Sequence, residues 1–449
     1  MAILLRLLVA AGRLRHTHGR LYQFELFKNL RRSRRAAGAA GRRVRVSRTV
    51  VLLGLTSMFT DISSEMVAAI LPLYLVFGVG LSPVQFGVVD GLYQGITAPA
   101  RLLSGVLGDR WRRHKEVATA GYGLSTLTRL AMPLAGGSLP ALTGVVMADR
   151  VGKGIRTAPR DAMISLSSTP ANLATSFSVH RALDTLGALL GPLVAFGILA
   201  LAPRGYDAVF VASFCFGVIG VAILWLFVDN RHAGAAPQAA DPAWERPTLR
   251  EAAALLGRRR FRTLVAIGGG LALVTVSDGF VYLLLQRRVD FDETLLPLLY
   301  IGTALAYMLL AVPTGHLADR IGRARVFLGG YVMLLLVYVV LLAPDAGLAQ
   351  VLVCLALFGA YYAATDGVLM ALASTLVPRN LLGTGLALLV TATSLGRLVS
   401  AVAFGALWTW SAPETAIAAF AAGLVVAVLL AAVAFVRTRG DAGGAPAAA

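Results

Sequence analysis

Acidic side chains inside long apolar stretches are the residues of this 449-residue sequence best suited to do chemistry. Asp61 and Glu65 are four residues apart, which puts both carboxylates on one face of a helix, about 6 Å apart. Two carboxylates that close in a poorly solvated site resist ionising together, and a nearby cation reverses that preference. The pair can therefore load and release a proton. The alternative is a permanent ion pair, such as Glu65 with Arg150, that only orients helices.

A second charged set recurs further along the chain. Asp149, Arg150 and Lys153 share one apolar segment, and Asp278 and Asp366 lie in two others, 217 residues after Asp61 and Asp149 respectively. Because a guanidinium keeps its proton, Arg150 would bias a carboxylate or hold an anionic substrate. Lys153, with Arg156 and Arg160 beyond it, can attract anions or serve as a snorkelling anchor at the inner leaflet.

The remaining charges inside apolar segments are expected to pair with one another. Asp184 lies three residues after Arg181 and can pair with it or reach a cavity. For the last group, ion pairing between helices is the default; its members are Asp90, Arg101, Arg129 and Arg397. Of these four, Arg397 is the best placed to touch substrate.

These charges need membrane-spanning helices to position them. Hydrophobic residues make up 57% of the chain and charged residues only 14%, whereas soluble domains have about 25% charged residues. Apolar runs of about 20 residues predict twelve spans. They fall at 50–77, 83–108, 116–136, 139–157, 173–201, 207–228, 263–285, 294–314, 325–343, 348–376, 382–409 and 414–436.

Charge placement predicts the domains and the orientation. Residues 1–48 hold thirteen basic residues against Glu25 and form a basic cytoplasmic extension that touches anionic headgroups, since nothing in it is typical of nucleic-acid binding. The predicted order continues with a six-helix half at 49–228, a cytoplasmic linker at 229–262, a second half at 263–436 and a disordered cytoplasmic tail at 437–449. Basic loops alternate with neutral ones, which puts both termini in the cytoplasm.

One short pattern occurs twice, 210 residues apart, each time after an apolar segment: Gly105-Val-Leu107-Gly-Asp109-Arg110 and Gly315-His-Leu317-Ala-Asp319-Arg320. The glycines permit close helix packing, and the arginines can bind neighbouring helix ends. The aspartates can cap a helix or pair with a basic residue of the other half. We interpret the two loops as gates at the cytoplasmic face, the alternative being simple positive-inside anchors. The arginines that complete the two loops are Arg113 and Arg323.

These loops and the six-plus-six layout resemble the major facilitator superfamily. So does Gly187-Ala-Leu-Leu-Gly191-Pro192, which resembles an antiporter signature and can act as a hinge, although Ala195 replaces a further glycine. The stretches Thr60–Met66 and Asp149–Asp161 resemble a bacterial subgroup of uncharacterised transporters. The resemblance implies an all-α membrane protein with twelve transmembrane helices in two six-helix halves around a central cavity, lined by spans 1, 4, 7 and 10.

The function expected from these features is secondary active transport of a small solute by alternating access, with proton-coupled efflux of a drug or metabolite preferred. Proton-coupled uptake of a small anionic solute and a non-transporting membrane receptor are the alternatives. No nucleophile elbow, phosphate loop or clustered histidines indicate an enzyme, a cofactor or a metal site. We expect a monomer in the bacterial cytoplasmic membrane whose partners are its solute, protons and lipid.

Overall fold

Helices are the regular elements of the described chain. The computed structural model describes residues 46–97, 113–169, 172–229, 254–378 and 381–443, and every regular element within these ranges is helical. Gly105, Asp109 and Arg110 of the first gate loop, the basic extension and most of the predicted linker lie outside the described residues.

Thirteen α-helices follow one another in the described ranges, and π-turns at Tyr74–Gly78 and Ile223–Phe227 extend the first and sixth. The first six are α1 (Arg48–Leu73), α2 (Pro83–Gly95), α3 (His114–Leu134), α4 (Leu139–Leu166), α5 (Leu173–Leu201) and α6 (Tyr206–Ala222). The others are α7 (Arg259–Ala272), α8 (Asp278–Val289), α9 (Leu296–Ile321), α10 (Arg323–Leu342), α11 (Leu348–Ser374), α12 (Leu382–Trp410) and α13 (Pro413–Gly443).

Eight helices of the described chain are long and apolar enough to cross a membrane, which confirms an all-helical, multi-pass membrane protein. They contain α1, α5, α6 and α9 to α13. The charged residues of α4 and the short lengths of α7 and α8 keep these helices out of the set. Twelve spans in two halves therefore stay a prediction.

The prediction of one continuous helix over 263–285 is wrong. The chain leaves the helical conformation after Ala272 and resumes it at Asp278, and we call residues 273–277 the α7–α8 break. The β-branched Val274, Thr275 and Val276 fall in this interval, and such side chains weaken a helix slightly.

Side chains from other helices replace hydrogen bonds of the broken backbone. The Tyr338 hydroxyl accepts from the Val276 amide at 2.8 Å and donates to the Val274 carbonyl at 3.0 Å. Ser400 Oγ donates to the Thr275 carbonyl at 2.6 Å. Unsatisfied backbone groups cost several kcal/mol each in a bilayer, so these contacts are what make the break tolerable.

Helices α1 and α5 approach each other closely at the glycines of the predicted hinge. A Cβ on Gly187 would lie 2.4 Å from the Met58 carbonyl oxygen, and one on Gly191 would lie 2.9 Å from that of Ile62. Close approach at these positions is thus confirmed. Pro192 lies inside α5 without interrupting it, and a hinge there stays a prediction.

One end of the bundle is packed around the α5–α6 and α8–α9 connections and the start of α2. The Arg204 and Glu293 side chains form an ion pair at 2.6 Å, and the Val84 amide donates to Thr409 Oγ1 at 3.0 Å. Deeper in, the Phe86 and Phe280 rings meet edge to face at 4.8 Å. Contacts therefore join α2 to both α8 and α12 at this end.

Candidate functional site

The charged residues of α4 lie on the side of that helix that faces α1 and α3. Asp149, Arg150, Lys153 and Arg156 are spaced so that the 3.6-residue period places them in one stripe. Arg150 and Arg156 are each at least 96% buried, so both charges need partners inside the bundle. We call these four residues, with Asp61, Glu65 and Arg129, the α1–α4 ion-pair network.

Each acid of the α1–α4 ion-pair network has a basic partner. Asp149 accepts from Arg129 Nη2 through Oδ1 at 2.8 Å and from Arg150 Nε through Oδ2 at 2.9 Å. Asp61 Oδ1 accepts from Arg156 Nη2 at 3.0 Å. The interhelical pairing expected for Arg129 is therefore confirmed.

Glu65 differs from the other acids of the network in its access to solvent. Lys153 Nζ lies 3.3 Å from Glu65 Oε1, and the side chains of both residues are 29% exposed. The partner of Glu65 is thus Lys153 and not Arg150, the example given from the sequence. A half-exposed pair of this kind can exchange its partner for water or solute more readily than the buried pairs can.

Two aromatic rings lie against guanidinium groups of α4. Arg150 lies 3.8 Å from the ring centroid of Tyr93 on α2, and Arg156 lies 4.5 Å from that of Tyr122 on α3. Cation–π attraction adds to the ion pairs in a desolvated site. The sequence analysis missed both tyrosines, since only their place in the fold brings them to the arginines.

A second group of charges continues the network toward α5. Arg160 Nη2 pairs with Asp161 at 2.9 Å, and its Nη1 lies 3.9 Å from Asp184 Oδ1. Asp184 also pairs with Arg181 at 3.3 Å, as the spacing predicted. The buried His180, which the sequence left among scattered histidines, joins this group through Ser57 Oγ at 3.0 Å.

The α7–α8 break places Asp278 at the first position of α8, not inside a continuous span. Its carboxylate accepts a hydrogen bond from the Tyr362 hydroxyl of α11. The positive end of the α8 dipole also favours a negative charge there. Within the described chain no basic side chain lies within 4 Å of Asp278.

Asp366 and Arg397 line one cavity of about 320 Å³ without touching each other. Neither forms an ion pair within 4 Å in the part of the chain that the structure describes. Tyr331 and Tyr361 form part of the same wall. The cavity therefore presents an acid, a base and aromatic rings, a combination that suits an amphipathic solute.

The second gate loop forms the connection between α9 and α10. Gly322 turns the chain with φ +102°, and Arg323 Nη1 donates to the Ala371 carbonyl near the end of α11 at 3.0 Å, as expected of an arginine that binds a helix end. Asp319 pairs locally with Arg323 at 3.3 Å. No described atom lies within 4 Å of a Cβ built at Gly315, so close helix packing there stays a prediction. The side chains of Arg320, near the end of α9, and of Arg113, directly before α3, are exposed.

The comparisons with known proteins agree with this fold. The family model described as Major Facilitator Superfamily matches residues 53–301 and 276–449. An uncharacterized MFS-type transporter of Methanocaldococcus jannaschii is 30% identical over 392 residues, which cover 86% of this chain and 93% of that protein.

Solved structures resemble the chain in fold alone. A mutant of the nucleoside transporter NupG has a TM-score of 0.74 at 16% identity and covers 86% of this chain and 100% of its own. An auto-inhibited POT family peptide transporter has a TM-score of 0.69 at 15% identity, with 87% and 97% covered. The superfamily is a class of transporters and not of enzymes. The chain belongs to the Major Facilitator Superfamily.

Proposed function

We propose that the chain is a secondary active transporter of a small solute, with twelve transmembrane helices in two six-helix halves that expose a central cavity alternately to each side. The observation that carries this proposal is the cavity of about 320 Å³ inside an MFS fold, lined by Asp366 and Arg397, neither of which forms an ion pair with a described residue. Charged groups at membrane depth are costly and normally serve a substrate or an ion.

The packed end around the Arg204–Glu293 ion pair supports alternating access. If the basic loops face the cytoplasm, this end faces outward and the described conformation is closed to the outside. The gate residues Gly315, Asp319, Arg320 and Arg323, with Gly105, Asp109, Arg110 and Arg113, would then act at the opposite, cytoplasmic end. The setting we propose is a bacterial cytoplasmic membrane with both termini inside.

The coupling ion we propose is the proton, and the preferred direction is efflux. The contacts of the proposed site residues support two roles, helix positioning and coupling. Asp149, Arg150 and Asp61 are buried in ion pairs that suit helix positioning, whereas Glu65 with Lys153, and Asp278 and Asp366, can change partners during a cycle. Asp184 joins Arg160 and Arg181 and fits the first role.

A second candidate is proton-coupled uptake of a small anionic solute. Arg397 favours it, because a guanidinium that lines the cavity without an acid within 4 Å in the described chain can bind a carboxylate or phosphate of the solute. Transport assays with the pH gradient imposed in either direction separate the two candidates.

The test begins with purified protein and a compound panel screened by thermal shift and by counterflow in proteoliposomes. Hits are then assayed with an imposed pH gradient in the wild type, Glu65→Gln and Asp278→Asn, with the exposed Asp207→Asn as control. We expect the gradient to drive flux in the wild type and the control and to drive less in the two variants. Wild-type flux that ignores the gradient would rule out proton coupling.

A further inference from the structure

The carboxylate of Asp90 in α2 is buried without a charged partner among the described residues. Asp90 is 7% exposed, and its Oδ2 atom has no hydrogen-bond partner in the described chain. No basic side chain of the described residues lies within 4 Å of it, so none of them forms the ion pair expected from the sequence. An ionised carboxylate in such a place is unfavourable, and the group neutralises instead.

A second orphaned oxygen lies beside it, at the α7–α8 break. Ser277 is 8% exposed, and its Oγ has no hydrogen-bond partner among the described residues. Ser277 and Gln94 are the polar side chains next to Asp90, and Asp278 is the charged group that acts on it. The helix break thus brings a hydroxyl and a carboxylate up to a buried carboxyl group of another helix.

The groups around Asp90 and Asp278 carry more negative than positive charge. The other titratable groups that face Asp90 or Asp278 are Asp366, Arg397, Tyr282, Tyr300 and Tyr362. Asp278 has the Tyr362 hydroxyl and the start of α8 to stabilise its negative charge, whereas Asp90 has neither. Of the two carboxylates, Asp90 is therefore the one that gains by taking up a proton.

We propose that Asp90 is a proton-binding carboxyl group of the transport cycle, located where α2 meets the α7–α8 break. One proton from water converts the carboxylate to the acid, and Oδ2 can then donate to the neighbouring Ser277 Oγ. The same proton returns to water on release. The coupling role rests on the proposed transport function, but proton binding at Asp90 does not depend on it.

The position of Asp90 gives its charge a mechanical consequence. Phe86, one turn earlier on α2, meets Phe280 on α8, and a Cβ on Gly279 would lie 2.8 Å from the Phe86 ring. Ionised Asp90 and ionised Asp278 repel each other beside this contact, and protonation of Asp90 removes that repulsion. Protonation therefore favours the packed end of the bundle, and deprotonation favours its opening.

Infrared difference spectroscopy of the purified full-length protein, titrated between acidic and alkaline pH, tests the proposal without any substrate. The carbonyl stretch of a neutral carboxylic acid is distinct from the stretches of a carboxylate. We expect the wild type to show a neutral-acid band that disappears on alkalinisation. The component of this band that arises from Asp90 should be absent in Asp90→Asn and present in Asp278→Asn and in the surface control Asp207→Asn.

Three results would overturn the proposal: a neutral-acid band in Asp90→Asn identical to that of the wild type, a wild type without the band at any pH, or an Asp90 component removed by NaCl at constant pH. The last would indicate a sodium site. Because Asp90→Asn preserves the shape of the side chain, a normal melting temperature for this variant excludes misfolding as the cause of a lost band. If the band behaves as expected and no compound is transported, only the transport proposal fails.

Discussion

The α1–α4 ion-pair network and the α7–α8 break place acids in the same protein interior but give them opposite surroundings. In the network, Asp61, Glu65 and Asp149 each have a basic partner between 2.8 and 3.3 Å away. Near the break, the arginine that acts on Asp278 and Asp366 in the described chain is Arg397. None of the three acids there forms an ion pair within 4 Å in the described chain: Asp90, Asp278 and Asp366.

This difference separates two uses of a buried acid. A carboxylate fixed by a guanidinium stays charged and holds helices in register, whereas one without a cation must bind a proton or another ligand. We therefore propose that the buried acids Asp61 and Asp149 serve structure and that the acids near the break serve coupling. The variants below test this division, from the largest expected effect to the smallest.

Asp149→Asn should be the most damaging change. It leaves Arg129 and Arg150 buried with their shared counter-charge removed, and breaking a buried pair from one side costs about 3–5 kcal/mol. Thermal unfolding in detergent measures the loss. The exposed Asp319→Asn is the control and should change stability by less than about 0.5 kcal/mol. Equal stability of the two variants would mean that the network is not structural.

Gly187→Ala tests the helix contact that positions the network. The added methyl group would meet the Met58 carbonyl oxygen at 2.4 Å, so we expect overpacking to cost about 1–3 kcal/mol. Gly197→Ala in the same helix is a matched control, because no described atom lies within 4 Å of its Cβ, and it should be neutral or stabilising. Destabilisation of Gly197→Ala alone would contradict the claim that close contact with Met58 requires glycine at position 187.

Tyr338→Phe probes the other region. Loss of the hydroxyl removes the partner of the Val276 amide and of the Val274 carbonyl, each at a cost of about 1–3 kcal/mol if left unsatisfied. Hydrogen exchange should speed up at the Val276 amide, whereas Tyr307→Phe on an exposed face of α9 should leave it unchanged. Unchanged exchange in Tyr338→Phe would show that the break does not depend on this contact.

Glu65→Gln should have the smallest effect on stability. Its ion pair with Lys153 is 29% exposed on both sides, and pairs in contact with water contribute about 0–1 kcal/mol. Its melting temperature should stay near that of the wild type. A loss as large as that of Asp149→Asn would place Glu65 with the buried, structural acids.

Sequence reasoning predicted the elements better than the partners. The apolar runs and the acids of α1, α4 and α11 were identified because membrane helices are long and intramembrane charges stand out in them. The stripe on α4 followed from residue spacing. Glu65 was given Arg150 as an example partner, but the spacing on one helix does not specify which residue of another helix lies opposite, and Lys153 does.

The α7–α8 break and the role of Asp90 could not be predicted from local sequence. The break depends on Tyr338 and Ser400, more than sixty residues further along the chain, which supply the missing hydrogen bonds. A continuous helix over 263–285 would put Asp278 mid-helix, and the default for Asp90 is an ion pair. The packing of α2 against α8 shows that Asp90 has no cation within 4 Å among the described residues.

The most direct test of this division of roles compares counterflow with gradient-driven flux in the same proteoliposomes, using a compound found in the panel screen. We expect Asp90→Asn to retain counterflow, which needs no net proton movement, and to lose flux driven by a pH gradient. Asp207→Asn should keep both. Gradient-driven flux in Asp90→Asn at the wild-type rate would contradict the assignment of proton coupling to the α7–α8 break.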